Sequence, residues 1–307
     1  MRCEEMETAS KAKAMGASSW ASGTVEQVFS WRPTPAWKYF DPVFMVRRLW
    51  AHRELAFQLT RREVRARYRG SYLGLFWSLL TPLMTLTIYT FVFGVIFKAR
   101  WGQSPSGGIF DFALTLFSGL IIFTFFTEIV NQAPTLFLRN PNYAKKVVFP
   151  LEILPVSMLG ASLVAAAMSF LVLALGLVVF SRLPGWRIIL LPLPLVPLCG
   201  LCLGLGWFLA TLGVFVRDIS NGIEVATRLL MFATPIFYPI SLVPDALKIV
   251  LLINPLTWII ENVRRVFLWN QMPNWGQLGL LTGVALVVML AGYASFRKGR
   301  RALTDVI

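Results

Sequence analysis

The sequence predicts an all-α integral membrane protein with six transmembrane helices, an amino-terminal amphipathic helix and a re-entrant hairpin before the last span. Three observations predict it. Only 14% of the 307 residues are charged and 56% are hydrophobic, against roughly 25% charged residues in soluble domains. The apolar residues are gathered into runs long enough to cross a bilayer, which takes ~20 residues per helix. The cations are unevenly placed between those runs: 22 of the 29 lysines and arginines fall in 1–74, 131–150, 214–228 and 297–307. That excess follows the positive-inside rule and places both termini on the cytoplasmic side. The net charge of +14 is thereby read as topology, and no nucleic-acid partner is expected.

Residues 1–45 are read as a flexible cytoplasmic extension, polar at first and then proline-broken and aromatic over Trp31–Pro42. No apolar core of the kind a cleaved leader needs occurs in 1–48. Over 46–70 the pattern turns helical. Trp50, Phe57, Val64 and Tyr68 fall on one stripe, and Arg61, Arg62, Arg65 and Arg69 occupy the adjoining arc. Such a helix suits the headgroup layer, aromatics inward and cations toward anionic lipid. Leu55 and Leu59 break the division and would face a protein partner. A soluble basic helix is the alternative.

The spans are expected at Leu73–Phe97, Phe112–Val130, Leu151–Phe180, Ile188–Val216, Leu229–Val243 and Leu278–Phe296. Pro82 lies in the first third of the first, where neighbouring helices can satisfy the freed backbone. Gly200, Gly204 and Gly206 in the fourth allow close helix approach. The shorter pieces Ala246–Ile253 and Leu256–Trp269, separated by Asn254-Pro255, are each too short to cross and suggest a re-entrant hairpin. Residues 71–300 form the membrane domain, and 301–307 a cytoplasmic tail behind Arg297, Lys298, Arg300 and Arg301.

Chemistry-bearing groups are sparse. Cys199 and Cys202 sit in an apolar run and are read as packing, and His52 lies among arginines with no partner ligand, so no metal site is expected. No GxxxxGK[ST] motif occurs and Gly-Lys is absent as a dipeptide, so the chain carries no phosphate-binding loop of its own. A proton relay would want ionisable groups at mid-membrane. Glu128 is the one candidate, and its place near a span end favours an interfacial role. No nucleophile–base pair or carboxylate dyad is visible, so no catalytic residue is assigned. An external site built from Asp245, Glu261, Arg264 and Arg265 is the enzyme alternative. Aromatics crowd the spans, among them Trp77, Tyr89, Phe93, Phe232, Phe237 and Tyr238. They suit either a sugar-stacking conduit wall or lipid-facing packing.

The stretch 54–97, ELAFQLTRREVRARYRGSYLGLFWSLLTPLMTLTIYTFVFGVIF, closely resembles the opening of type-2 ABC exporter permeases of the polysaccharide and polyol phosphate branch. The runs 112–133, 140–157, 216–244 and 254–268 resemble that family in the same order. The resemblance implies a homodimer of six-span permeases on two copies of a separate ABC ATPase, which would bind ATP and Mg while this chain holds no cofactor. It implies that 46–68 is the interface helix. Residues 138–146, with Arg139, Asn140, Asn142, Lys145 and Lys146, would dock on the ATPase. A hairpin at 243–269 would lie at the external mouth. An undecaprenyl-linked glycan of the O-antigen kind would thread between protomers in the bacterial cytoplasmic membrane. Its lining would come from the first and fifth spans: Trp77, Tyr89, Phe93, Phe232, Phe237 and Tyr238. Teichoic acid or capsule export, drug or lipid export, and a non-transporting scaffold are the alternatives.

Overall fold

The structure is a computed structural model, and it describes residues 42–68, 76–97, 109–144, 149–179, 185–216 and 218–306. The extension up to residue 41, Arg69, Lys145 and Lys146 lie outside the described residues. All regular elements among those described are helical.

Two helices precede the spans, α1 (Pro42–Ala51) and α2 (Arg53–Tyr68). The single helix expected from 46 onward is therefore divided, with a turn at His52. α3 (Trp77–Tyr89) is the first span, extended by a π-helical turn at Thr90–Ile96. α4 (Ile109–Gln132) is the second. Beyond a 3₁₀ turn it runs into the short α5 (Leu136–Arg139) and α6 (Pro141–Ala144). α7 (Ile153–Val179) and α8 (Pro192–Phe215) are the third and fourth spans. α9 (Ile219–Phe232) follows, then α10 (Asp245–Ile253), α11 (Pro255–Phe267) and the long α12 (Trp275–Val306).

Five of these segments are long and apolar enough to cross a membrane, and α10 with α11, bent by 87° at Asn254, makes a sixth if the pair is one broken span. The protein is an all-α integral membrane protein. The fifth run departs from expectation. Its helix begins ten residues earlier, at Ile219, and ends at Phe232, so Glu224 and Arg228 lie within it as an i,i+4 pair at 3.7 Å. Fourteen residues reach only ~21 Å at 1.5 Å per residue. Pro235 and Pro239 then take the chain through turns to a 3₁₀ turn at Ile240–Leu242, because a proline supplies no amide to a helix and clashes with its preceding turn.

The core centres on α4. In its most apolar window 83% of residues are buried, against 6% for α3. Around α4 pack α7, α8, α9, α11, α3 and the π-helical turn. α8 and α12 form the most extensive helix pair. A Cβ on Gly204 would stand 2.5 Å from the Val288 carbonyl oxygen, and one on Gly292 would strike the Gly204 carbonyl, so these backbones touch directly, as small residues permit. Gly200 faces α12 as well, while Gly206 faces Pro155 and Ile129. Trp207 is fully buried within this pair. Its indole N–H donates to the Glu152 carbonyl at 3.0 Å, and its ring meets Tyr293 edge-on at 5.2 Å.

Candidate functional site

The residues singled out from the sequence fall into three groups: the aromatics of the first and fifth runs, the α1–α2 arm with the α5–α6 turn, and the α10–α11 bend.

Of the six candidate conduit residues, the fold joins three. Tyr89 and Phe93, one helical turn apart, stack at 6.0 Å, and Phe237 approaches both, at 6.2 and 5.6 Å. Phe97 and Phe112 extend the cluster from Phe93, at 5.6 and 6.0 Å. The π-helical turn begins just after Tyr89 and buries Gly94. Such turns are frequent at functional sites, and nothing in the apolar pattern of 73–97 signalled this one. Phe232 and Tyr238 are joined separately, since the Tyr238 hydroxyl donates to the Phe232 carbonyl at 2.6 Å. Phe232 itself is exposed. Trp77 stands at the other end of α3, twelve residues from Tyr89 and ~18 Å along the axis.

The α1–α2 arm is bound to the bundle by charge and close packing. Trp50 and Phe57 are exposed, as are Arg61, Arg62 and Arg65, and the Arg53 guanidinium lies 5.2 Å from the Trp50 ring centre. Leu59, by contrast, packs on the core, and Thr60 sits over Gly160 of α7 with its hydroxyl on the Ala56 carbonyl at 2.8 Å. Of the two leucines that interrupted the stripe, Leu59 thus packs beside Leu154 and Met158 of this chain's own α7 and not on a partner. Ion pairs Arg48–Glu152 and Arg67–Glu128 tie α1 to the start of α7 and α2 to the end of α4. Glu128 sits at a span end with a cationic partner from the arm, a pairing across 61 positions that no local pattern reveals.

From the arm, Arg62 donates to the Tyr143 hydroxyl and lies 5.4 Å from that ring's centre. Tyr143 stacks on Phe149 at 4.5 Å. Within the candidate docking turn, Arg139 is exposed and donates back to the Gln132 carbonyl at 3.0 Å, and the Asn140 amide donates to the Leu136 carbonyl at 3.0 Å. Asn142 lies on α6. Sequence reasoning did not single out Tyr143, the residue that joins this turn to the arm.

The four polar residues considered for an external site do not assemble into one. Arg264 is fully buried and donates to Glu261 and the Pro235 carbonyl at 3.0 Å and to the Thr115 and Ile236 carbonyls at 3.3 Å. Arg265 caps the Met272 carbonyl at 3.1 Å. Asp245 pairs with Lys248 at 2.7 Å, and that hydrogen bond holds its carboxyl below the usual range. Asn254 completes the bend: its side-chain oxygen caps Leu256 N–H at 3.0 Å, and its amide reaches Thr234 Oγ1 at 2.8 Å and the Ala233 carbonyl at 3.2 Å.

A family model described as "ABC-2 type transporter" matches residues 54–268, more than half the chain, from the arm through α11. The chain belongs to that family. Among its relatives, the O-antigen export system permease protein RfbA of Myxococcus xanthus is 29% identical over 266 residues, covering 86% of this chain and 99% of that protein. An RfbA of the same description from Klebsiella pneumoniae is 24% identical, covering 83% and 95%. The polysialic acid transport protein KpsM of Escherichia coli is 24% identical, covering 79% and 92%.

Proposed function

We propose that this chain is the permease subunit of an ATP-driven exporter that moves a lipid-linked, O-antigen-like polysaccharide across the bacterial cytoplasmic membrane. The observation that carries this is likeness to the Myxococcus xanthus export permease along 99% of that protein's length. Two copies of the chain stand on two copies of a separate ATPase subunit that binds ATP and Mg. Both termini face the cytoplasm, and the excess of lysine and arginine in 1–74, 131–150, 214–228 and 297–307 supports that orientation.

In this reading the segment 138–146 receives the closing motion of the ATPase through exposed Arg139 and its neighbours. Tyr143 and Arg62 pass the motion to α2, and Arg67–Glu128 and Thr60 carry it into α4 and α7. The polymer threads between protomers along the aromatic wall of the first span and the turn after α9. Sugar C–H edges stack there without the charge or deep pockets that would halt a sliding chain. Residues 243–269 frame the external mouth. Aromatic faces accept any sugar sequence, which suits a conduit for a long repeat.

The test is export in a deletion strain. Wild type restores polymer at the cell surface, and ATP is hydrolysed by the complex with the ATPase subunit and not by the purified chain alone. Arg139→Glu with Lys145→Glu abolishes both assembly and export. Normal export and assembly by that double variant would remove the docking assignment.

A second reading, transport of an acidic polymer, draws on likeness to the polysialic acid transport proteins. The charge of the polymer that accumulates inside deletion cells separates the two.

A further inference from the structure

Between α3, α4 and α7 lies a cavity of about 240 Å³ whose lining changes character along its length. At one end stand Ser78 and Thr81 of α3, Thr124 and Glu128 of α4, and Ser162 of α7. Further in, the walls are Phe117, Leu120, Ile121 and Ala166, and the two hydroxyls at that depth, Thr85 and Ser169, are taken up by their own helices, donating to the Thr81 and Ala165 carbonyls at 2.8 and 3.1 Å. From Glu128 to Phe117 is eleven residues of helix, ~16 Å. None of the six candidate conduit aromatics lines it.

Two side chains point to an occupant. Ser162 is 1% exposed, and its hydroxyl has no hydrogen-bond partner within the protein. A buried polar group left unpaired costs about 1–3 kcal/mol. Thr124 is the one exposed residue between Asp111 and Phe126, so the most buried helix of the bundle opens to the cavity at a hydroxyl. Beside them, Arg67 balances the Glu128 carboxylate, so the hydroxyls and not a net charge distinguish this end. At ~30 Å³ per water, the volume accommodates a glycerol-sized group and several methylenes.

We infer that this cavity is a binding site for a membrane lipid with a hydroxyl-bearing headgroup. The headgroup lies among Ser78, Thr124 and Ser162, and its chain follows Phe117, Leu120 and Ile121. The lipid fills the gap between the sparsely packed first span and the α4–α7 body. This site stands on the cavity and on membership in a membrane family. The identity of the exported polymer has no part in it.

Native mass spectrometry of the delipidated full chain with its ATPase partner tests the site. Phosphatidylglycerol is titrated against phosphatidylmethanol, which has the same charge and acyl chains and lacks the headgroup hydroxyls. Wild type retains one phosphatidylglycerol per protomer at a concentration at least tenfold lower than phosphatidylmethanol requires. Thr124→Val and Ser162→Ala bring the two lipids to parity while the thermal transition stays near wild type, which separates loss of the site from loss of the fold. Equal retention of both lipids by wild type overturns the inference, as does a preference that survives both substitutions. Displacement of phosphatidylglycerol by an undecaprenyl-linked disaccharide also overturns it, because the cavity would then belong to the transport path.

Discussion

Arg264 shows how one side chain can organise a membrane protein's least regular segment. Residues 233–239 are neither helix nor strand, and their carbonyls would be costly in a low-dielectric interior without donors. The planar guanidinium reaches three carbonyls on two elements and the Glu261 carboxylate together, which a lysine's single ammonium does not reproduce. Gly119 leaves room for it, since a Cβ there would stand 3.0 Å from Nη2. Arg264→Met should therefore destabilise the protein by about 3 kcal/mol, the scale for breaking a buried charged pair from one side. Arg264→Lys should recover only a minor part of that. Pairing Arg264→Met with Glu261→Gln should cost less than the two single changes summed, because the second removes the carboxylate that the first leaves unpartnered. Thermal unfolding of the detergent-solubilised chain reads all three. A transition unchanged in Arg264→Met would show that the bend holds without this fork.

At the scale of elements, the arm and the fifth run mark where the sequence was and was not legible. Apolar length alone located α3, α4, α7, α8 and α12, because a bilayer imposes the same length on every crossing. The bend at Asn254-Pro255 was legible for the same reason, being a helix breaker between two short apolar pieces. α9 was not, since its Asn221, Glu224 and Arg228 hide a helix from any hydropathy window, and its end is set by Arg264 and Asn254 from elsewhere in the chain. Of the candidate site, the aromatics were visible as composition, and only the fold selects Tyr89, Phe93 and Phe237 as neighbours. The Arg67–Glu128 pair was invisible for the same reason: it is long-range. Its prediction follows from its position between arm and bundle. Arg67→Glu or Glu128→Arg alone should loosen α2 from α4 by about 1–2 kcal/mol, as for a half-buried pair, and expose the arm to limited proteolysis. The double exchange should restore most of the protection. Equal cleavage of wild type and single variants would mean that Thr60 and Leu59 hold the arm unaided.

For the whole molecule, the unequal burial of the spans is the leading fact. A helix 6% buried in its apolar window, beside one 83% buried, is held to its own bundle by little, so its outer face must meet lipid or another copy. Met84 and Ile88, with Phe91 and Val95 beyond the start of the π turn, are 50–57% exposed and follow one another at three- and four-residue spacing, a continuous apolar strip along the first span. In a twofold dimer, residues near the axis meet their own counterparts, and a conduit between protomers requires that axis to run beside this strip. With Cys3, Cys199 and Cys202 replaced by alanine, Ile88→Cys should therefore form a disulfide between protomers under mild oxidation in native membranes. Leu175→Cys, as exposed at 56% but on the third span, should remain monomeric. Addition of the ATPase partner with a non-hydrolysed ATP analogue should change the yield at Ile88 if the gap between first spans opens and closes with the motor. Cross-linking at Leu175 in place of Ile88 would move the dimer axis to α7, and the aromatic cluster of Tyr89, Phe93 and Phe237 would then be packing against lipid and not the wall of a conduit.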